Sequence, residues 1–217
     1  MDRRTRREQI AALLLRGDFP GLVELAGRET GIPMQLLQLT YAPGEVLHWR
    51  AIEGLGYVAG AYPRQVAGLI QRLLWTLNED SGSVGWGAAA ALGEIGRHQL
   101  PLVEDILPMF IGFLEEEFSR PAMLWGLGRL GEAHPEAVVE AIPWIAACLA
   151  DRDPEVRGLA AWCLGRLRAQ GAAEGIGALT ADQGQLTLYD EGELRKTTVG
   201  QLAQEALKLL RSRLSSG

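Results

Sequence analysis

Two cysteines and three histidines in 217 residues, with no apolar run long enough for a bilayer, put several kinds of protein out of reach. A membrane-spanning helix needs roughly 18 or more uninterrupted apolar residues. The stretch Ile10 to Leu15, behind Met-Asp-Arg-Arg-Thr-Arg-Arg, falls short of the ~7-residue core of a signal peptide. Cys148 and Cys163 both lie in helical apolar patterns and are too few for a secreted disulfide scaffold. The expectation is therefore a cytoplasmic protein without a membrane span.

Chemistry is also thinly supplied. There is no Cys-x-x-Cys or His-x-x-x-His spacing for a metal and no Gly-x-Ser-x-Gly elbow. His48, His98 and His134 read as capping or surface groups, although His98 and His134 hold similar positions in consecutive repeats. No catalytic residue, metal or cofactor is expected. A basic footprint is missing too. The net charge is −6, and the first seven residues carry four Arg and one Asp, so residues 8–217 carry −9. Duplex binding requires cations to neutralise phosphates, so nucleic acid is disfavoured. Arg3, Arg4, Arg6 and Arg7 read as an arm for an acidic partner or membrane surface, or as a disordered solubilising terminus.

What the sequence does have is repetition. Leu55-Gly56, Leu92-Gly93, Leu127-Gly128 and Leu164-Gly165 are spaced by 37, 35 and 37 residues. One residue before each Leu stands Gly54, Ala91, Gly126 or Cys163. Four before stands Ala51, Ala88, Met123 or Ala160, and three after stands Val58, Ile95, Leu130 or Leu167. These offsets share one face of a helix, and the small residues on it permit close helix approach. Pro63 and Pro135, with Pro101 one residue later in register, open the second helices. Those helices show apolar 3/4 spacing, as in Val66, Leu69, Ile70, Leu73, Leu77 and in Val138, Val139, Ile142, Ile145, Leu149. Pro108 and Pro143 predict kinks. Asp153, ahead of Pro154, and Ser119 are placed to cap helices.

The segment DRDPEVRGLAAWCLGRLRAQGA (151–172) resembles the HEAT-like repeats named for phycobilin lyases. Its Val156-Arg157, Ala160 and Leu164-Gly165 fall at that family's Val-Arg, Ala and Leu-Gly positions. The segment SGSVGWGAAAALGEIG (81–96) follows the same scheme without the Arg. The resemblance covers about residues 45–175 and implies an all-α superhelical solenoid, with a degenerate fifth copy over Val199 to Leu210. It implies little about activity, because such repeats serve scaffolds, lyase subunits and chaperones alike.

The expected organisation is one domain. Residues 1–44 are capping helices (3–16, 18–28 and 33–41), 45–175 the four repeats, and 176–217 a β-hairpin and a closing helix at 198–212. The hairpin is predicted at 185–199, where β-formers alternate around Asp190-Glu191-Gly192. It is expected to cap the array; an edge open to β-augmentation is the alternative.

Offsets of six before, two before and two after each Leu face away from the expected core. They select Trp49, Trp86, Trp125 and Trp162, with Glu53, Tyr57, Glu94, Arg129 and Arg166. Trp and Arg are enriched at binding hot spots. The expectation is a non-enzymatic scaffold binding a protein or peptide segment in an aromatic concave groove, negative toward Glu53 and Glu94 and positive toward Arg129 and Arg166. Bulky Trp packed between helices, or a terminal segment folded across the groove, is the alternative role for these residues. The resemblance also allows a lyase, cofactor-attachment or chaperone subunit, and more distantly a DNA-lesion-binding repeat protein. In the loop Asn78-Glu79-Asp80-Ser81-Gly82-Ser83, Ser81 is expected to cap a helix rather than to help bind phosphate. Glu115-Glu116-Glu117 reads as a solvated helix end.

Overall fold

A helix that must bury one face against two neighbours stacks into a layer, and the Leu-Gly repeat supplies four such helices. A computed structural model describes residues 3–41, 44–78 and 87–212. Three short helices lead, α1 (Arg3–Leu15), α2 (Phe19–Arg28) and α3 (Ile32–Leu39). Pro20 and Pro33 stand in their opening turns, and the Asp18 carboxylate accepts from the Gly21 N–H at 2.9 Å. The N-terminal arginines are part of α1 and do not form a loose arm: Arg4 pairs with Glu8, and Arg6 with Glu29 of the loop after α2.

The first helices of the repeats are α4 (Val46–Ala61), α6 (Ala88–His98), α8 (Arg120–Ala133) and α10 (Pro154–Arg166). The second helices are α5 (Pro63–Asn78), α7 (Leu107–Glu115), α9 (Ile142–Ala147) and α11 (Ala173–Ala178). After them come β1 (Gln185–Asp190), β2 (Glu193–Thr198) and α12 (Val199–Arg211). Helices α4, α6, α8, α10 and α12 pack in that order as an inner layer, so α12 takes the place of a fifth first helix. Leu55, Leu92, Leu127 and Leu164 are buried, as are all eight residues at the offsets four before and three after them. Each buried Leu contributes about 1.5–3 kcal/mol of transfer free energy.

The glycine of each pair sets the spacing between layers. A Cβ on Gly93 would stand 2.4 Å from the backbone of Gly126, so α6 and α8 touch backbone to backbone there. One on Gly128 would strike the Trp162 ring, and one on Gly165 would lie 2.7 Å from the Cα of Ala206. Gly56 meets Glu94 and His98 in the same way.

The outer layer is less regular, for reasons visible in its prolines. The expected kinks at Pro108 and Pro143 are breaks: each proline lies in the opening turn of a new α-helix, α7 or α9. The segments ahead of them, around Pro101 and Pro135, form 3-10 turns. Asp153 caps α10, accepting from Glu155 N–H at 2.9 Å. Ser119 does not cap α8 as expected. Its buried hydroxyl donates instead to the Phe113 carbonyl at 2.8 Å, tying the end of α7 to the start of α8.

The hairpin forms at 185–198, with Tyr189 opposite Leu194 and Thr187 opposite Lys196. Its two-residue turn, Glu191-Gly192, has φ of 49° and 85°, the left-handed conformation that tight hairpin turns require. Thr198 and Gln201 close a capping box at the start of α12. Among the described residues no helix is long and apolar enough to cross a membrane.

Candidate functional site

The inner layer is curved tightly enough for side chains to meet across an intervening helix. Arg129 of α8 forks onto Glu94 of α6, with Nε to Oε2 at 2.7 Å and Nη2 to Oε1 at 3.0 Å. The same Nη2 reaches Glu53 of α4 at 3.2 Å. These three residues stand at the offsets that the repeat register turns away from the Leu-Gly core.

That face does not open to solvent along the expected strip, because the hairpin lies on it. Side chains alternate sides along a strand, and the hairpin uses both. Leu186 packs toward Gly158 of α10 and Leu202 of α12. On the other side Tyr189 stacks parallel to Trp49 of α4, with ring centroids 5.4 Å apart. The Trp125 indole N–H donates to the Tyr189 carbonyl at 2.8 Å, and the Tyr189 hydroxyl donates to Glu53 Oε2 at 2.5 Å. At the tip, Asp190 accepts both bonds from Arg166 Nη2, at 2.6 and 2.7 Å, with the Trp162 N–H at 3.5 Å. Gly192 is pressed against Arg50, which also covers Gly17 in the α1–α2 loop.

The expected site residues therefore divide. Trp125 is 1% exposed and Glu94 0%; Glu53 and Trp162 are also buried, and Arg129 and Arg166 are partly so. Arg129 and Arg166 lie over the Trp125 and Trp162 rings, at 5.4 and 4.4 Å. Tyr57 lies apart from the tryptophans, stacked on Phe19 at 4.3 Å and beside His98. Trp86 falls outside the described residues, as do positions 79–83 of the Asn78 to Ser83 loop. The expected separation into a negative and a positive end is absent, because Arg129 neutralises Glu53 and Glu94 directly while Arg166 pairs with Asp190 and Glu132.

Burial sets the protonation behaviour of this network. For Glu94, loss of solvent would raise the pKa. Hydrogen bonding from His98 and Arg129, with the charges of Arg129 and Arg97, outweighs that effect and holds it at about 2. Glu53 goes the other way: burial pushes its pKa up despite Tyr189 and Arg129. The Tyr189 phenol is raised by burial and by its bond to Glu53. His48, Nδ1 2.8 Å from the Thr40 carbonyl, is buried and its pKa is lowered for that reason. His98 and His134 each dock on the preceding repeat, against Gly56 and Gly60 and against the Arg97 carbonyl. Burial raises both thiols, and Cys163 is fully enclosed. Among the described residues no three His, Cys, Asp or Glu side chains converge as metal ligands would.

Where the hairpin stops short of the helix starts, a cavity of about 370 Å³ remains. It lies between the N-terminal ends of α4, α8 and α10 and the Tyr189–Leu194 pair. Trp49, Phe118, Pro121, Leu159 and Leu194 form its apolar walls, with Trp125 and Tyr189 behind them, and Glu117, Asp153 and Glu155 stand at its edge. Its volume is within the range of about 300–1,000 Å³ usual for ligand sites. The sequence reading marked Trp49 and Trp125 but not the hairpin residues or Phe118, which no repeat offset singles out. The most exposed tryptophans among the described residues, Trp75 at 62% and Trp144 at 45%, lie on the outer helices and outside the expected strip. Their positions off the apolar 3/4 pattern were the available signal.

A HEAT-like repeat family model matches residues 117–167, which span α8, α9 and α10. An uncharacterized protein of Archaeoglobus fulgidus is 33% identical over 112 residues, 49% of this chain and 60% of that protein. The chain thus spans less than two thirds of this relative's length. The crystal structure of an archaeal HEAT-like repeats protein from Thermococcus onnurineus NA1 aligns over 95% of this chain and 80% of its own. Identity there is 17% and the TM-score 0.41. Residues 117–167 thus match a HEAT-like repeat, within an all-α stack of helices that carries a small antiparallel hairpin near its C-terminus.

Proposed function

We propose that this solenoid is a non-catalytic scaffold in the cytoplasm that holds a segment of a partner protein on its concave face, with the cavity beside the hairpin as the anchoring point. The observation that carries the reading is the apolar cavity itself, walled by Trp49, Phe118 and Leu194 on the side that repeat arrays use for binding. Partly exposed aromatic surface in a concave site supplies contact area at low entropic cost. Of the expected strip, Trp49 and Trp125 border this cavity. In this reading Glu53, Glu94, Arg129, Trp162 and Arg166 serve the site by fixing the hairpin that forms its far wall.

The test is selection of short random peptides displayed on phage, followed by binding measurements on the enriched sequences. Thr187→Trp, an exposed strand position bordering the cavity, fills the space without touching the buried network. Enriched peptides are expected to bind the wild-type chain and to lose at least about tenfold in affinity to the Thr187→Trp chain at unchanged melting temperature. Failure to enrich any sequence, or binding indifferent to Thr187→Trp, overturns the reading.

A further inference from the structure

The cavity has walls of one chemistry and an edge of another. Three carboxylates, Glu117, Asp153 and Glu155, border it, and among the described residues no Lys or Arg does. Asp153 spends one oxygen on capping α10. Glu117 pairs with Arg152 at 2.5 Å, but both side chains are well exposed, and such pairs contribute little and open readily. The Glu155 carboxylate has no ion-pair or hydrogen-bond partner among the described residues. Burial keeps His48 neutral at physiological pH, so it adds no positive charge. Two hairpin cations stand next to it without lining it: Lys196 lies opposite Thr187, which borders the cavity, and Arg195, opposite Leu188, pairs with Glu205.

Apolar walls below a carboxylate edge match the shape of a long cationic side chain, which lays its methylenes on apolar surface and keeps its charge at the rim. The rings of Trp49 and Phe118 add attraction for a cation near their faces. A neutral apolar side chain would leave the edge unanswered, and an acidic one would be repelled. Building on the peptide-binding reading above, we infer that the cavity takes a Lys or Arg side chain of the partner segment. Its stem lies against Trp49, Phe118 and Leu194, and its head sits between Glu117, Asp153 and Glu155.

The experiment uses fluorescein-labelled random peptide pools that share one fixed central residue, Lys, Arg, Met, Gln or Glu. Each pool is titrated by anisotropy against the wild-type chain, Thr187→Trp, and the combined Glu117→Gln, Asp153→Asn, Glu155→Gln variant. Asn at 153 still caps α10, so the variant is expected to stay folded. The Lys and Arg pools are expected to bind about tenfold tighter than the Met and Gln pools. That advantage should shrink with added salt and disappear in the triple variant. Pools that bind and are blocked by Thr187→Trp, yet show no preference for a cation, overturn the inference and leave the peptide site standing. If no pool binds, or binding ignores Thr187→Trp, both fall.

Discussion

The Tyr189 hydroxyl donates to Glu53 at 2.5 Å although 136 residues separate them. The bond joins the hairpin to the first helix of the first repeat, and its acceptor also receives Arg129. Replacing Tyr189 with Phe leaves a buried carboxylate one partner short, and replacing Glu53 with Gln leaves Arg129 with one carboxylate fewer. Each substitution is expected to cost about 1–3 kcal/mol. In a double-mutant cycle the pair should show coupling of about 0.5–3 kcal/mol. Urea unfolding of the four proteins measures it, and additive losses would mean that the bond stabilises nothing.

Acid should expose Glu94. Its pKa is depressed in the folded chain, so its ionisation favours folding above the ordinary carboxylate range, near 4.5. That contribution is lost as the pH falls toward about 2. The loss is on the order of 3 kcal/mol for a group this buried. Glu53 has a raised pKa and acts in the opposite sense, favouring folding at low pH and losing that contribution as pH rises through its folded value. Glu94→Gln should therefore be less stable at neutral pH and show a flatter decline between pH 4.5 and 2. Urea midpoints across that range decide it.

Glycine pairs give a contrast inside one fold. Gly93→Ala drives a methyl into the Gly126 backbone, and overpacking of this kind costs about 1–3 kcal/mol. Gly112, in α7, has open space around its Cβ position. There alanine should stabilise by roughly 0.5–1 kcal/mol through helix propensity. Opposite shifts in melting temperature are the expected result.

Quenching of tryptophan fluorescence should report the outer face. Iodide is expected to reach Trp75 and Trp144 and to leave Trp125 and Trp162 untouched. The Trp75→Phe, Trp144→Phe double variant should lose the share of the quenchable signal that these two rings supply, while the half-buried Trp49 keeps its own. If the quenched fraction survives that change, the accessible rings lie elsewhere.

Much of this architecture was legible from the Leu-Gly spacing, because close helix packing demands a small residue at a fixed point in every repeat. Gly93 and Gly128 meet that demand by touching Gly126 and Trp162. The hairpin was legible too, from alternation around Glu191-Gly192. Its docking place was not. Helical periodicity shows which face of α4 or α8 is free of its own neighbours, but carries no trace of Tyr189 arriving from far along the chain. The same gap hid the polarity of the groove, since Arg129 reaches across α6 to Glu53, a contact that exists only once the layer curves. Phe118 sits between helices, where no period applies.

The hairpin also fixes a number. In an open stack each repeat answers only to its neighbours, and copies can be added or lost one at a time. Here Tyr189 and Gly192 rest on α4 while Leu186 and Asp190 rest on α10, so the span between those helices is measured by a clasp of fixed length. Another repeat inserted between them would draw Tyr189 away from Glu53 and strand the Arg129 network. Between α4 and α10 the number of repeats is thus set by a segment that does not itself repeat.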